Sequence, residues 1–348
     1  MSTRRDFLKL SLGAAATALP LLGTLAPSRA FAASGARTLR IGNQKGALSI
    51  LKGRGTLETR LAPLGVSVTW TEFNAGPVQL EALNVGSIDF GDVGDAPPIF
   101  AQAAGAPLAY VAATLPRSQS EAVLVPHDST LRTVADLKGK RVAFNKGSNV
   151  HYFLVQLLRH HGLDYRDVRP VFLAPADARA AFENGSIDAW VIWDPFYAAA
   201  QATLGARVLA DASGVVGNRG YYFSSLDYAK RNPDVIRTLI DEIAKADDWG
   251  KQHRSEYAGE LAKLWGLPAP IVEQAVARTQ FGTVPITKAI RSGGARRGVT
   301  TRAACRSLKR KSAAHRGAFS LARKYSDPYD YPRDYPRDFS SVIVSNSS

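Results

Sequence analysis

GPVQLEALNVGSIDFGDVGDAPPIFAQ, residues 76–102, returns 99 residues later as PADARAAFENGSIDAWVIWDPFYAAAQ, residues 175–201. Aligned without a gap, Gly86-Ser87-Ile88-Asp89 falls on Gly185-Ser186-Ile187-Asp188, and Asp95 falls on Asp194. Each copy reads as an amphipathic helix, a Gly turn, a short apolar strand, and an acidic residue beside Pro that opens another helix. Gly86 and Gly185 suit the left-handed position that closes a helix, where a Cβ would clash. Asp95 and Asp194 are predicted N-caps, with Pro97 and Pro195 tolerated in a first turn that has no use for their missing N–H. A four-residue match could be chance. Agreement of helix, turn, strand and cap over about 27 residues points to two similar α/β lobes.

Outward from the repeat, strands alternate with helical segments. Thr38–Gly42 reads as a strand, Ala47–Arg60 as a helix and Val66–Phe73 as an alternating strand. Lys140–Phe144 and Val168–Leu173 are further strands, separated by a helix that runs to about His161. Three helical segments fill Pro233 to Arg278. The pattern predicts an α/β architecture with mostly parallel sheets. Residues 34–122 with 218–287 are expected to form the first lobe and 123–217 the second. The helices after Pro233 should pack back on the first lobe. Between two such lobes lies a cleft, with strand C-terminal ends pointing into it.

The first 33 residues stand apart. Arg4 and Arg5 precede an apolar run from Leu10 to Leu25, followed by Ala30-Phe31-Ala32. A twin-arginine start, a weakly apolar middle and a small-x-small end describe a Tat-type export signal, and hence a periplasmic protein of bacterial origin. The competing reading, a transmembrane anchor, fits less well, because Gly13, Pro20, Gly23 and Pro27 interrupt the run. A lone cysteine, Cys305, excludes an intrachain disulfide. No Cys/His spacing suggests a metal site, and no cofactor motif is present.

The net charge of +14 misleads unless it is located. Residues 288–348 hold 14 Lys/Arg against 4 Asp/Glu, and residues 1–33 add a further +3, leaving +1 for residues 34–287. The body is nearly neutral, which removes the case for a nucleic-acid partner.

Four strand-to-helix junctions fall on the cleft edge: Gln44-Lys45-Gly46, Gly94-Asp95-Ala96, Lys146-Gly147-Ser148-Asn149 and Trp193-Asp194-Pro195. Helix N-termini offer unpaired N–H groups and a partial positive charge, which favour an anion. Ser148 can cap its helix, Gly147 lets backbone approach a ligand, and Lys45 and Lys146 add charge. Trp193 would cover an apolar part, while Trp190, three residues earlier in the same strand, faces the other side. Singly, each has an ordinary structural role: a cap, a solvated lysine, a core tryptophan. Together they describe a site for a small molecule with an anionic head and an apolar tail. His151 is the only histidine near the cleft, and no nucleophile or metal cluster accompanies it, so its expected role is packing and no catalytic residue is assigned.

At these residues the chain resembles a family. IGNQKGAL, EFNAGPVQLEALNVGSIDFGDVGDAPPIFAQAAGAP, DLKGKRVAFNKGSNVHYFLVQLL, FLAPADARAAFENGSIDAWVIWDP and the YFSS of residues 222–225 are similar to the periplasmic aliphatic sulfonate-binding proteins of ABC importers. These belong to the wider taurine, nitrate and thiamine-precursor binding group. The resemblance runs from Arg40 to about Thr287. It implies a two-lobed periplasmic-binding-protein-like fold of type II, monomeric, that closes on an alkanesulfonate and delivers it to an inner-membrane permease for sulfur acquisition. It also implies that the head meets Gln44, Lys45, Gly46, Gly94, Asp95, Ala96, Lys146, Gly147, Ser148 and Asn149, with Trp193 and Asp194 opposite. Asn43 stands where the family would place an aromatic, which leaves tail preference open. Nitrate, taurine or another small anion is the alternative ligand, and a pyrimidine-precursor enzyme of the same fold the alternative class.

Past Thr287 the resemblance stops. KAIRSGGARRGVTTRAACRSLKRKSAAHRG is basic and lacks apolar periodicity, and YPRD is repeated directly at 331–338. The composition reads as a disordered polar tail. The abrupt break is also what a shifted reading frame would produce, and translation of the coding DNA in the other two frames tests it. A chain without the family's closing helices should be less stable than an intact relative.

Overall fold

The computed structural model describes residues 37–103 and 105–286. The export segment of residues 1–33 and the basic tail of residues 288–348 lie outside the described residues. In chain order come β1 (Arg37–Asn43), α1 (Leu48–Arg54), α2 (Thr56–Leu61), β2 (Val66–Glu72), α3 (Gly76–Asn84), β3 (Phe90–Val93), α4 (Pro97–Ala103) and β4 (Leu108–Pro116). The chain then crosses to β5 (Glu121–Val125), β6 (Arg141–Phe144), α5 (Asn149–His160), β7 (Arg169–Phe172), α6 (Pro175–Glu183), β8 (Ala189–Trp193), α7 (Phe196–Leu204) and β9 (Arg207–Asp211). It returns through β10 (Arg219–Ser225), α8 (Leu226–Arg231), α9 (Pro233–Gln252), α10 (Arg254–Trp265), α11 (Ala269–Ala277) and β11 (Thr283–Pro285). The single helix expected over 47–60 is two, because Gly55 adopts a left-handed φ of 63° and closes α1 by donating its N–H to Leu51 O.

The strands form two sheets, ordered β11-β4-β10-β3-β1-β2 and β7-β6-β8-β5-β9. In each, a parallel trio is built the same way: β1 between β2 and β3, β6 between β7 and β8. The remaining pairings, of β10, β11, β5 and β9, are antiparallel. The sheets are therefore mixed and not mostly parallel. Strands that enter a sheet from the other lobe do so without the helical crossover that parallel pairing requires.

The repeat occupies equivalent places in the two sheets. Gly86 and Gly185 end α3 and α6 with φ of 74° and 73°. The Asp of each GSID then clasps an arginine of its lobe's central parallel strand. Asp89 accepts from the Arg40 amide at 3.0 Å and from its Nε at 2.9 Å, and Asp188 accepts from the Arg141 amide at 2.7 Å and its Nε at 3.2 Å. Each arginine also donates to the carbonyl of the repeat glycine, Gly86 or Gly185. The clasp explains why the motif is kept as a unit: glycine turns the chain, and its carbonyl and the aspartate share one guanidinium.

Each lobe has its own core. Leu39, Ile41, Phe90 and Tyr222 pack under Leu239 and Ile243 of α9 in the first. Phe144, Phe153, Leu157 and Val191 do so in the second. Each such side chain contributes about 1.5–3 kcal/mol on burial. Trp190 is core and almost wholly buried, while Trp193 stays partly exposed, so the two face different surroundings as the strand geometry demands. His151 is core too. Its ring stacks 4.7 Å from that of Phe144, and its Nδ1 accepts from the Gly147 amide at 3.2 Å.

The final helices do more than cover the first lobe. α9 and α10 pack there, but Ile271 and Ala275 of α11 sit against Ala198 and Ala199 of α7, in the second lobe. That contact ties the two lobes together beside the cavity, which Ala275 also lines.

Candidate functional site

The cavity, about 130 Å³, opens between the C-terminal ends of β1, β3 and β8, the start of α5 and the two crossing segments. Gln44, Lys45, Gly46, Gly94, Asn149, Trp193 and Asp194 all line it. Five of the other expected residues do not. Ala96 is fully buried, and the Asp95 carboxyl accepts from its own amide and from that of Ala96, ahead of α4. Lys146 lies 5.1 Å over the ring of Phe172. Gly147 is engaged with His151 as above, and Ser148 is buried with its Oγ donating to Asn145 O at 2.7 Å. Ser148 holds the N-cap position of α5 by backbone, yet its hydroxyl closes the preceding turn and does not cap the helix.

The side chains at the edge are held by one another. Gln44 donates to Gln79 Oε1 at 2.8 Å and to Asp92 O at 3.0 Å. Lys45 donates to Trp265 O at 3.0 Å. Asn149 donates to Glu121 Oε2 at 2.6 Å and to Asn218 Oδ1 at 3.3 Å. Asp194 is bound on both oxygens by Arg278, at 2.8 and 2.9 Å, and accepts from the Ala198 amide at 3.1 Å. It is thus an inter-lobe partner and helix cap as well as cavity wall. Trp193 meets Phe196 edge to face at 6.0 Å, and a narrow crevice beside them reaches Phe73 and Asn74. Those rings make the apolar end of the site.

Sequence reasoning missed the residues of the crossing segments. Arg117, Ser120 and Asn218 all line the cavity. The two segments are stitched together: Arg117 N–H donates to Gly217 O at 2.9 Å, Ser118 Oγ to Val216 O at 2.8 Å, and Asn218 Nδ2 to Ser120 Oγ at 3.2 Å. Asn218 takes a left-handed φ of 42° to make these bonds. The available signal was a lone arginine between two apolar strands where the chain changes lobes.

Around Arg117 gather carboxyl groups with altered acidity. Burial pushes Asp92 up to about 6 and Asp95 up to about 7. Burial likewise raises Glu121 well above the usual range, with the Asp95 charge adding to it, and raises Asp247. In each case the charge on Arg117 opposes the rise. The folded protein therefore retains protons that the unfolded chain releases near pH 4, so stability present at low pH is lost as pH rises through about 6 to 7. His151, which burial pulls down to about 3, works the other way below its unfolded value, but as one group against several. Thermal melts of the free protein between pH 5.5 and pH 8 should show Tm falling as pH rises. Asp95→Asn should flatten the upper part of that dependence and stabilise the protein at pH 8 by about 1–3 kcal/mol. A Tm that is level or rises with pH would contradict this account.

Two mixed α/β lobes, joined by two crossing segments and enclosing a polar cavity with one aromatic end, define a two-lobed solute-binding protein. The family model described as NMT1/THI5 like matches residues 63–256. An aliphatic sulfonates-binding protein of Escherichia coli (strain K12) is 46% identical over 243 residues, covering 69% of this chain and 76% of that protein. Among solved structures, the alkanesulfonate-binding protein of Xanthomonas axonopodis pv. citri bound to MOPS is 44% identical with a TM-score of 0.70, covering 73% of this chain and 88% of that one. The periplasmic aliphatic sulphonate binding protein of Escherichia coli is 43% identical with a TM-score of 0.67, covering 73% and 83%. The chain belongs to the NMT1/THI5-like family, among its aliphatic sulfonate-binding members.

Proposed function

We propose that this protein captures aliphatic sulfonates in the periplasm and delivers them to the permease of an ABC importer, acting as a monomeric carrier and not as an enzyme. The observation that carries the reading is the 46% identity to a sulfonates-binding protein over a body that encloses a cavity between two lobes. The site chemistry agrees. A sulfonate is ionised at every physiological pH and offers three acceptor oxygens, so it needs fixed donors and no titrating base. Gln44, Lys45, Gly46, Gly94 and, at the start of α5, Asn149 border the head, while Trp193 and Phe196 suit an alkyl tail leaving along the crevice. Asp95, Ala96, Lys146, Gly147 and Ser148 support that edge from behind. Export by the twin-arginine segment accords with periplasmic relatives.

Calorimetric titration with ethanesulfonate, octanesulfonate, taurine and nitrate tests the reading. Ethanesulfonate and octanesulfonate should bind more tightly than taurine, and nitrate should bind weakly. Binding of nitrate alone would overturn the assignment.

A further inference from the structure

We propose that Arg117 is the residue that receives the ligand's anionic head, and that its place on the crossing segment couples ligand binding to lobe closure. The inference rests on the sulfonate reading above and assigns the charge within that site.

Arg117 lines the cavity, and its Nε is buried without a hydrogen-bond partner. Among the described residues no carboxylate ion-pairs with its guanidinium, although Asp92, Asp95, Glu121 and Asp247 all lie within its field. This contrasts with two other cations. Lys45, which lines the cavity, is spent on Trp265 O and Glu72, and Arg278, outside the cavity lining, on Asp194. The side chain is only partly buried, but a buried donor left unpaired is costly, so Arg117 Nε is suited to an acceptor that arrives from outside. A sulfonate supplies one, with oxygens spaced for the guanidinium fork. Room for the fork is built in: a Cβ at Gly220 would lie 2.5 Å from Arg117 Nη2.

The surrounding carboxyls fit the same role. Of these, Asp92 and Asp247 line the cavity beside Arg117, and burial raises both above the usual carboxylate range, which lessens the negative charge an incoming anion meets. The backbone of Arg117 is the point where the two crossing segments are stitched, at Gly217 and Asn218. A head bound there and on Asn149 touches the crossing and the second lobe together, which is the differential contact that closure requires.

The test is calorimetric titration of ethanesulfonate into the wild-type protein, Arg117→Gln and Arg117→Lys, with melts of each. Arg117→Gln should weaken binding at least ~100-fold, and Arg117→Lys, which keeps charge but not the fork, about 10-fold. Wild-type binding with Arg117→Gln within threefold of it overturns this proposal and leaves the sulfonate reading standing. A wild-type protein that binds no sulfonate overturns both. If Arg117→Gln does not fold, a crystal structure of the wild-type protein with ethanesulfonate decides: a sulfonate oxygen within hydrogen-bonding distance of Arg117 Nε supports the proposal, and a head that contacts other donors only overturns it.

Discussion

Replacing Arg278 with alanine should destabilise the protein by about 3–5 kcal/mol, more than removal of any exposed ion pair in the molecule. Arg278 follows α11 and reaches the second lobe, where both oxygens of Asp194 accept from it at 2.8 and 2.9 Å. The side chains are only 16% and 9% exposed, so the pair lies where water screens poorly. The guanidinium also lies 3.8 Å over the ring of Tyr197 and donates to Gln201 Oε1 at 3.2 Å. Burial already pushes the pKa of Asp194 above the usual carboxylate range, and Arg278 opposes that rise and holds the carboxylate ionised. Take the arginine away and a buried carboxylate must either stay charged without a partner or bind a proton. Removing both groups avoids that, so Arg278→Met with Asp194→Leu should cost less than Arg278→Ala alone. Urea denaturation of the two singles and the double measures this. A loss below about 1 kcal/mol for Arg278→Ala would show that the pair is solvated and unimportant.

How much of this was legible in the chain depends on whether the physics is local. Gly86 and Gly185 could be placed because a helix end with a left-handed residue is a property of a few neighbours. The equivalence of the lobes followed from the same local rules applied twice. What the Asp of GSID does was not readable, because its partners Arg40 and Arg141 lie 49 and 47 residues away. Asp194 looked like a ligand-facing residue or a cap, and its main partner is 84 residues distant. The contact of α11 with α7 escaped for the same reason: an apolar helix face declares that it is buried, not on what. Arg117 carried no motif at all. Its only signal was its place between two apolar strands, and its role becomes visible when two crossing segments, about 100 residues apart, are brought side by side. The junction rule brought Gln44, Gly94 and Trp193, which follow or end strands, and Asn149, which opens α5, to the lining of one cavity. It placed Lys146, Gly147 and Ser148 one turn too near, because a turn of four residues cannot aim every side chain into one cavity.

Gly94→Val should leave the free protein folded yet weaken ethanesulfonate binding at least ~100-fold, the largest loss of affinity expected from a residue without charge. Gly94 directly follows the β3 strand of the first lobe, and a Cβ there would lie 2.8 Å from Asn149 Cβ in the second. Real Cβ atoms do not approach so closely, and the obstacle is an atom fixed to the backbone of α5, so no rotamer change relieves it. The glycine is needed for the approach of the lobes and not for its own backbone angle, since its φ is not among the left-handed ones. The first lobe should therefore fold around valine, and the penalty should fall on closure. A ligand that must hold the lobes together then works against that penalty, and the bound state opens. Small-angle scattering with excess ethanesulfonate should show the wild type contract and Gly94→Val remain extended, with melting temperatures of the free proteins within a few degrees. Binding within threefold of the wild type would mean that the ligand does not need this approach of the lobes, and that closure around Asn149 is no part of capture. A weaker but parallel loss for Gly94→Ala would locate the effect at the first added carbon, because the clash begins at Cβ and the valine methyls only deepen it.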